Sequence, residues 1–198
     1  SFEIITAELG ERTFPAGIAE VVKRVIHTTA DFDYADSLAF SPDVIEQAKA
    51  ALAAGATVVT DTNMALSGVS KVTLAKLGGK AVCLMADEQV ASEAKARGVT
   101  RAVVSMEHAA KFEGPLIFAI GNAPTALIRL HELIEEGIVA PALVIGVPVG
   151  FVNVVEAKEL FIGGDTPYII ARGRKGGSNV AASIVNALLY QLVHREGF

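Results

Sequence analysis

Four histidines and a single cysteine are the chain's main candidates for proton transfer and nucleophilic chemistry, and His27 is placed unlike the others. Over residues 15–30 the side chains of Ile18, Val21, Val22, Val25, Ile26 and Thr29 recur at helical spacing and predict an amphipathic helix. His27 falls on the side away from that stripe, near Glu20 and Lys23. A histidine so placed is either a solvated surface residue or a titrating group presented to a cleft or a subunit interface. An imidazole with an ordinary pKa of ~6.5 both gives and takes protons at neutral pH, which is what a general acid–base residue must do. His108, His131 and His194 are far apart in sequence and show no metal-ligand spacing, so no metal site is expected. Cys83 lies inside the apolar run Ala81-Val82-Cys83-Leu84-Met85 and reads as a small buried hydrophobe in a reducing compartment.

The run Arg172-Gly173-Arg174-Lys175-Gly176-Gly177-Ser178 gathers three positive charges among three glycines, ahead of a candidate helix start. It is either a solvated basic turn or a site for carboxylate or phosphate oxygens. The phosphate-loop pattern Gly-x-x-x-x-Gly-Lys-Ser/Thr and the dinucleotide pattern Gly-x-Gly-x-x-Gly are both absent. So is the Gly-x-Ser-x-Gly elbow of serine hydrolases. The net charge of −5 and the lack of a long Lys/Arg run argue against nucleic-acid binding. An anionic ligand would have to be met by a few local charges.

These residues need a scaffold. Hydrophobic residues make up 52% of the 198, enough for one well-filled domain spanning 1–198. Continuous apolar runs at 57–61, 81–85, 102–105, 116–120, 142–147 and 168–171 have the pattern of parallel strands covered on both faces. Helical segments fill the gaps. Ser41-Pro42-Asp43 supplies a cap, a proline at the first helical position and an acid near the positive end. Gly55, Gly98 and Gly137 stand where helices should stop. The alternation predicts a three-layer α/β sandwich with a mainly parallel sheet. Ligands in such folds bind beyond the carboxyl ends of the strands, which directs attention to the loops at 61–64, 121–124, 146–150 and 172–178. Residues 137–155 carry no charge, but Pro141, Pro148, Gly146 and Gly150 make a membrane-spanning helix a poor reading. Charges follow soon after Ser1-Phe2-Glu3-Ile4-Ile5, so no secretory signal is expected there and the expected compartment is the cytoplasm.

Taken in order, the segments resemble one family along essentially the whole chain. They are Ser1-Phe2-Glu3-Ile4-Ile5, Val25-Ile26-His27-Thr28-Thr29, Phe40-Ser41-Pro42-Asp43, Asp61-Thr62-Asn63-Met64 and Gly98-Val99-Thr100-Arg101. Gly121-Asn122-Ala123-Pro124-Thr125-Ala126-Leu127, Gly146-Val147-Pro148-Val149-Gly150-Phe151-Val152, Arg172-Gly173-Arg174 and Gly176-Gly177-Ser178 complete the set. The sequence resembles the precorrin-8X methylmutases, including those acting on cobalt-precorrin-8. The resemblance implies a flavodoxin-like fold, a homodimer with active sites near the subunit interface, and no cofactor or metal of the protein's own. It implies an isomerase of corrin biosynthesis that moves a methyl group from C-11 to C-12 of the macrocycle, giving hydrogenobyrinic or cobyrinic acid. His27 then matches the acid–base residue, and Ser1 and Arg101 match positions that contact the tetrapyrrole. Asn63 and Arg172, from the loops, join them as candidate substrate-binding residues. The Asp61-Thr62-Asn63-Met64 form is more similar to the cobalt-containing branch, whereas Ser67 stands where some members carry a His. The alternative is a corrinoid-binding or carrier protein of the same fold that performs no turnover.

Overall fold

The computed structural model describes residues 1–194. Its elements follow in the order α1 (Phe2–Leu9), α2 (Ile18–Thr29), α3 (Tyr34–Ser37), β1 (Leu38–Phe40), α4 (Val44–Ala53), β2 (Thr57–Thr60), α5 (Asn63–Gly68), α6 (Lys71–Lys76) and β3 (Lys80–Cys83). The second half supplies α7 (Glu88–Arg97), α8 (Arg101–Ala109), β4 (Leu116–Ile120), α9 (Pro124–Glu135), β5 (Leu143–Gly146), α10 (Val154–Glu159), β6 (Tyr168–Ala171) and α11 (Ser178–Leu192).

One six-stranded sheet runs β1-β6-β5-β4-β2-β3. Five strands are parallel; β1 is antiparallel to β6, with Leu38 opposite Ala171. The parallel strands alone are ordered β3-β2-β4-β5-β6, the flavodoxin-like arrangement, whose switch point lies between β2 and β4. Side chains alternate across β4. Ile117 and Ala119 enter the core under α2, α4 and α11, while Leu116, Phe118 and Ile120 enter the core under α8 and α9. The three layers read from the sequence are therefore present.

The helix ends follow local chemistry. Gly98 at the end of α7 has φ 67, and Gly55 and Gly137 have φ 82 and 74, a left-handed conformation that glycine adopts without a Cβ penalty. The Ser41-Pro42-Asp43 expectation is corrected. The α4 helix starts only at Val44, after Asp43 at φ 59, and Ser41 is spent elsewhere. Its hydroxyl accepts from the Tyr168 N–H at 2.8 Å and donates to the Tyr168 carbonyl at 3.3 Å, tying β1 to β6.

The strand expected at 102–105 is also corrected, because this run is the first turn of α8. The Thr100 hydroxyl caps it by accepting from the Val103 N–H at 3.2 Å, and Ala102, Met106 and Ala109 bury one helical face. An apolar run of four residues cannot by itself distinguish a buried strand from a helix. The edge strand β1, three residues long, is too short to show a period. Residues 137–155 hold β5 and its flanking loops, and no helix among residues 1–194 is long and apolar enough to cross a membrane.

Candidate active site

His27 sits in the last turn of α2, one helix face away from Val21, Val22, Val25 and Ile26, all 1% exposed or less. Burying those four side chains holds α2 against α11, each contributing about 1.5–3 kcal/mol. The imidazole itself is exposed. It stacks on Phe2 of α1, with ring centroids 5.3 Å apart and planes 11° from parallel. The Arg24 guanidinium, one turn earlier on α2, lies 5.2 Å from the Phe2 ring centroid and 4.9 Å from that of Tyr190 on α11.

These groups border a hollow of about 740 Å³ lined by Ser1, Phe2, Glu3, Arg24, His27, Tyr190 and His194. On the other side of α1 lies a more apolar hollow of about 470 Å³, with Ile4, Ile5, Ile26 and Phe32 in its lining. Ser1 and His27 line both. Of the sequence candidates, Ser1 is thus brought together with His27.

The remaining candidates are placed elsewhere. Asn63 is exposed at the first position of α5, after Thr62, whose hydroxyl accepts from the Ala65 N–H at 3.0 Å and pairs with the Ser178 hydroxyl at 2.7 Å. Arg101 begins α8, not a strand, and lines a depression of about 390 Å³ with Ala91, Ser92, Lys95 and Val99 of and beside α7. Arg172 faces Glu159 of α10, donating from Nη2 at 2.5 Å and from Nε at 3.2 Å.

The loop chemistry differs from the sequence expectation, because much of the loops' capacity to bind anions is used internally. Lys175 donates to Asp31 and Asp33 at 2.7 Å each, and its hydrogen bond holds the Asp31 carboxyl below its ordinary value. Arg174 lies 5.1 Å from the Phe151 ring centroid. At the switch point, buried Asp61 accepts the backbone N–H groups of Gly121, Asn122 and Ala123, so the amides ahead of α9 are engaged by the protein's own carboxylate. Burial pushes the Asp61 carboxyl above its ordinary value, while these three bonds pull it down.

Sequence reasoning missed Lys158. Its side chain is fully buried, yet it donates to the carbonyls of Gly173 at 2.7 Å and Lys175 at 3.0 Å. Desolvation lowers its pKa to about 8. It ties α10 to the loop after β6, and Gly176 in that loop lies so near the Val147 carbonyl that there is no room for a Cβ. A lone lysine beside Val154 and Ala157 gave no signal beyond its position on the apolar side of a short helix. Arg24 is legible as a cation one turn before His27, whereas Phe2 and Tyr190 were not singled out, since their meeting with Arg24 depends on packing between α1, α2 and the distant α11.

Comparison with known proteins agrees with this architecture. The precorrin-8X methylmutase family profile matches residues 1–191. The cobalt-precorrin-8 methylmutase of Salmonella typhimurium is 49% identical over 175 residues, covering 87% of this chain and 80% of that protein. The precorrin-8X methylmutase of Pseudomonas aeruginosa is 40% identical over 190 residues, covering 95% and 91%. The crystal structure of the precorrin-8X methylmutase from Thermus thermophilus superposes with a TM-score of 0.88 at 39% identity, over 95% of this chain and 91% of that one. The chain belongs to the precorrin-8X methylmutase family, isomerases of cobalamin biosynthesis that carry out an intramolecular methyl shift.

Proposed function

We propose that this protein moves the C-11 methyl group of precorrin-8, or of its cobalt form, to C-12, with His27 as the acid–base residue. The observation that carries the reading is the position of His27. Its imidazole is exposed on the rim shared by two hollows, turned away from the apolar face of its own helix.

In the shift the bond from C-11 to the methyl carbon breaks as the bond from C-12 to the same carbon forms. Atoms and electrons therefore balance without any external donor. A proton given by His27 near ring C would draw electron density from the conjugated system and make migration easier; returning it restores the residue. Ser1, on the same rim, supplies a hydroxyl for the macrocycle's periphery. Arg101, Asn63 and Arg172 are proposed to meet carboxylates at the periphery, Arg172 only by exchanging its bond to Glu159. The cobalt-named relatives at 49% and 45% identity support the cobalt form as substrate.

The functional unit proposed is a homodimer in the cytoplasm, each chain working as one methylmutase domain with His27 at or near the contact. Among residues 1–194, the larger hollow is walled by α1 with Ser1 before it, α2, α11 and the segment just past α11. Binding sites enclose most of a ligand's surface, so a second subunit supplying the missing wall fits a macrocycle better. Two-fold dimers are the commonest soluble oligomers.

Purified protein mixed with precorrin-8, and separately with cobalt-precorrin-8, tests the activity through the visible spectrum. Conversion of either to the C-12-methylated acid is expected, because migration changes the ring's conjugation. Tight binding with an unchanged spectrum would instead mark a corrinoid carrier. Sedimentation at micromolar concentration should give about twice the 20.6 kDa chain mass, and full activity from a diluted monomer would refute the shared wall.

A further inference from the structure

The geometry points to Phe2 as a positioning residue for His27, fixing the plane of the imidazole so that its nitrogen-bearing edge is held toward the hollow. This inference rests on the reading of His27 as the acid–base group.

An exposed histidine ordinarily samples several rotamers, since nothing opposes rotation about its side-chain bonds. A proton donor that samples several orientations loses rate, because a misplacement of about 1 Å can cost ~10²-fold. Acid–base histidines are commonly oriented by a hydrogen bond to the second ring nitrogen. Here, among residues 1–194, no hydrogen bond or ion pair reaches the His27 ring. What meets it is the Phe2 ring, nearly parallel at 11° and 5.3 Å between centroids, within the range of offset-stacked aromatic pairs. A stack covers one face of the imidazole and leaves its edge, with both nitrogens, free of the contact. Hydrogen bonding would have engaged one of the nitrogens that the chemistry needs.

Phe2 is itself held. The first turn of α1 is closed by the Ile5 N–H donating to the Ser1 carbonyl at 3.1 Å and by the Thr6 hydroxyl donating to the Phe2 carbonyl at 2.9 Å. The Arg24 guanidinium lies near both the Phe2 and Tyr190 rings, linking α1 to α11 through α2. The order of contacts Tyr190, Arg24, Phe2, His27 therefore runs from a helix rooted in the core to the exposed imidazole. Ser1 and Glu3 flank Phe2 in the same lining, so the element that stacks on His27 also forms part of the wall.

The experiment compares Phe2→Leu, which removes the ring, with Phe2→Tyr, which keeps it, in the whole protein. Turnover of precorrin-8, titration with the product corrinoid and NMR of the His27 ring protons are measured on each. Phe2→Leu should lower kcat about tenfold, leave KM and product affinity within about twofold, and shift the His27 ring resonances as the ring current disappears. Phe2→Tyr should keep all three near wild type. Should Leu loosen α1, seen as a lowered melting temperature, Phe2→Met fills similar volume without a ring and answers the same question. The inference is overturned if Phe2→Leu turns over like wild type, or if Leu and Tyr are equally impaired. It is also overturned if kcat falls while the His27 resonances stay in place, or if the loss lies in KM, which would make Phe2 a substrate contact. A His27→Ala control separates the two readings, because full turnover there removes the acid–base role whatever Phe2 does.

Discussion

Asp61 at the end of β2 accepts the N–H of Ala123, beyond β4, at 2.6 Å, and those of Gly121 and Asn122 at 2.9 Å. The carboxylate thus closes the switch-point crevice that the strand order opens. An asparagine there keeps the shape but offers one acceptor oxygen and turns an NH₂ group toward N–H donors. Asp61→Asn should destabilise the fold by about 2 kcal/mol, since hydrogen bonds to charged groups contribute ~1.5–3 kcal/mol and the relieved cost of burying charge offsets part of the loss. Urea unfolding reads this directly, and an unchanged midpoint would mean the three amides find other partners.

Lys158 gives a pH signature of definite sign. Its ordinary value of 10.5 falls to about 8 in the folded protein because burial disfavours the ammonium. Between those values the unfolded chain binds more protons than the native one at this site, so raising the pH favours the folded state. The stability of wild type relative to Lys158→Met should therefore increase as pH climbs from about 8 toward 10.5. Paired denaturant titrations at pH 7 and 9.5 measure the change in difference, and a constant difference would show that Lys158 titrates normally.

Much of the architecture was legible in the sequence. Five of six expected strands are present, because parallel strands buried on both faces leave continuous apolar runs such as Leu116-Ile117-Phe118-Ala119-Ile120. The helix carrying His27, and the side on which it stands, followed from period alone. Of what was not legible, some cases have separate physical reasons. The run at 102–105 is short enough to suit either element, and only Thr100 as a cap tips it to helix. Asp61 falls in a loop expected at the site and Lys175 in a run suited to anions, yet their partners are amides and carboxylates from distant loops. The Phe2–His27 stack needs α1 folded back on α2, and no local pattern encodes that return.

Arg101 offers a test of substrate contact away from His27. It stands at the start of α8 beside a depression it shares with Lys95 and Ser92. If it meets a corrinoid carboxylate, Arg101→Leu should weaken product binding by about 1.5–3 kcal/mol. Arg101→Lys should restore the charge but not a two-pronged geometry, and so recover only part of that loss. Titration with the product corrinoid ranks the three proteins, and equal affinities would remove Arg101 from the site.

The most direct measurement is single-turnover conversion of precorrin-8 by His27→Ala, followed by visible absorbance and by NMR of the migrating methyl group. Removal of a positioned acid–base group typically costs ~10²–10⁴-fold. The expected result is a rate lowered by about that factor, with the circular dichroism spectrum and the product affinity essentially those of wild type. Methyl migration from C-11 to C-12 at the wild-type rate in that variant would contradict His27 as the residue that drives the shift.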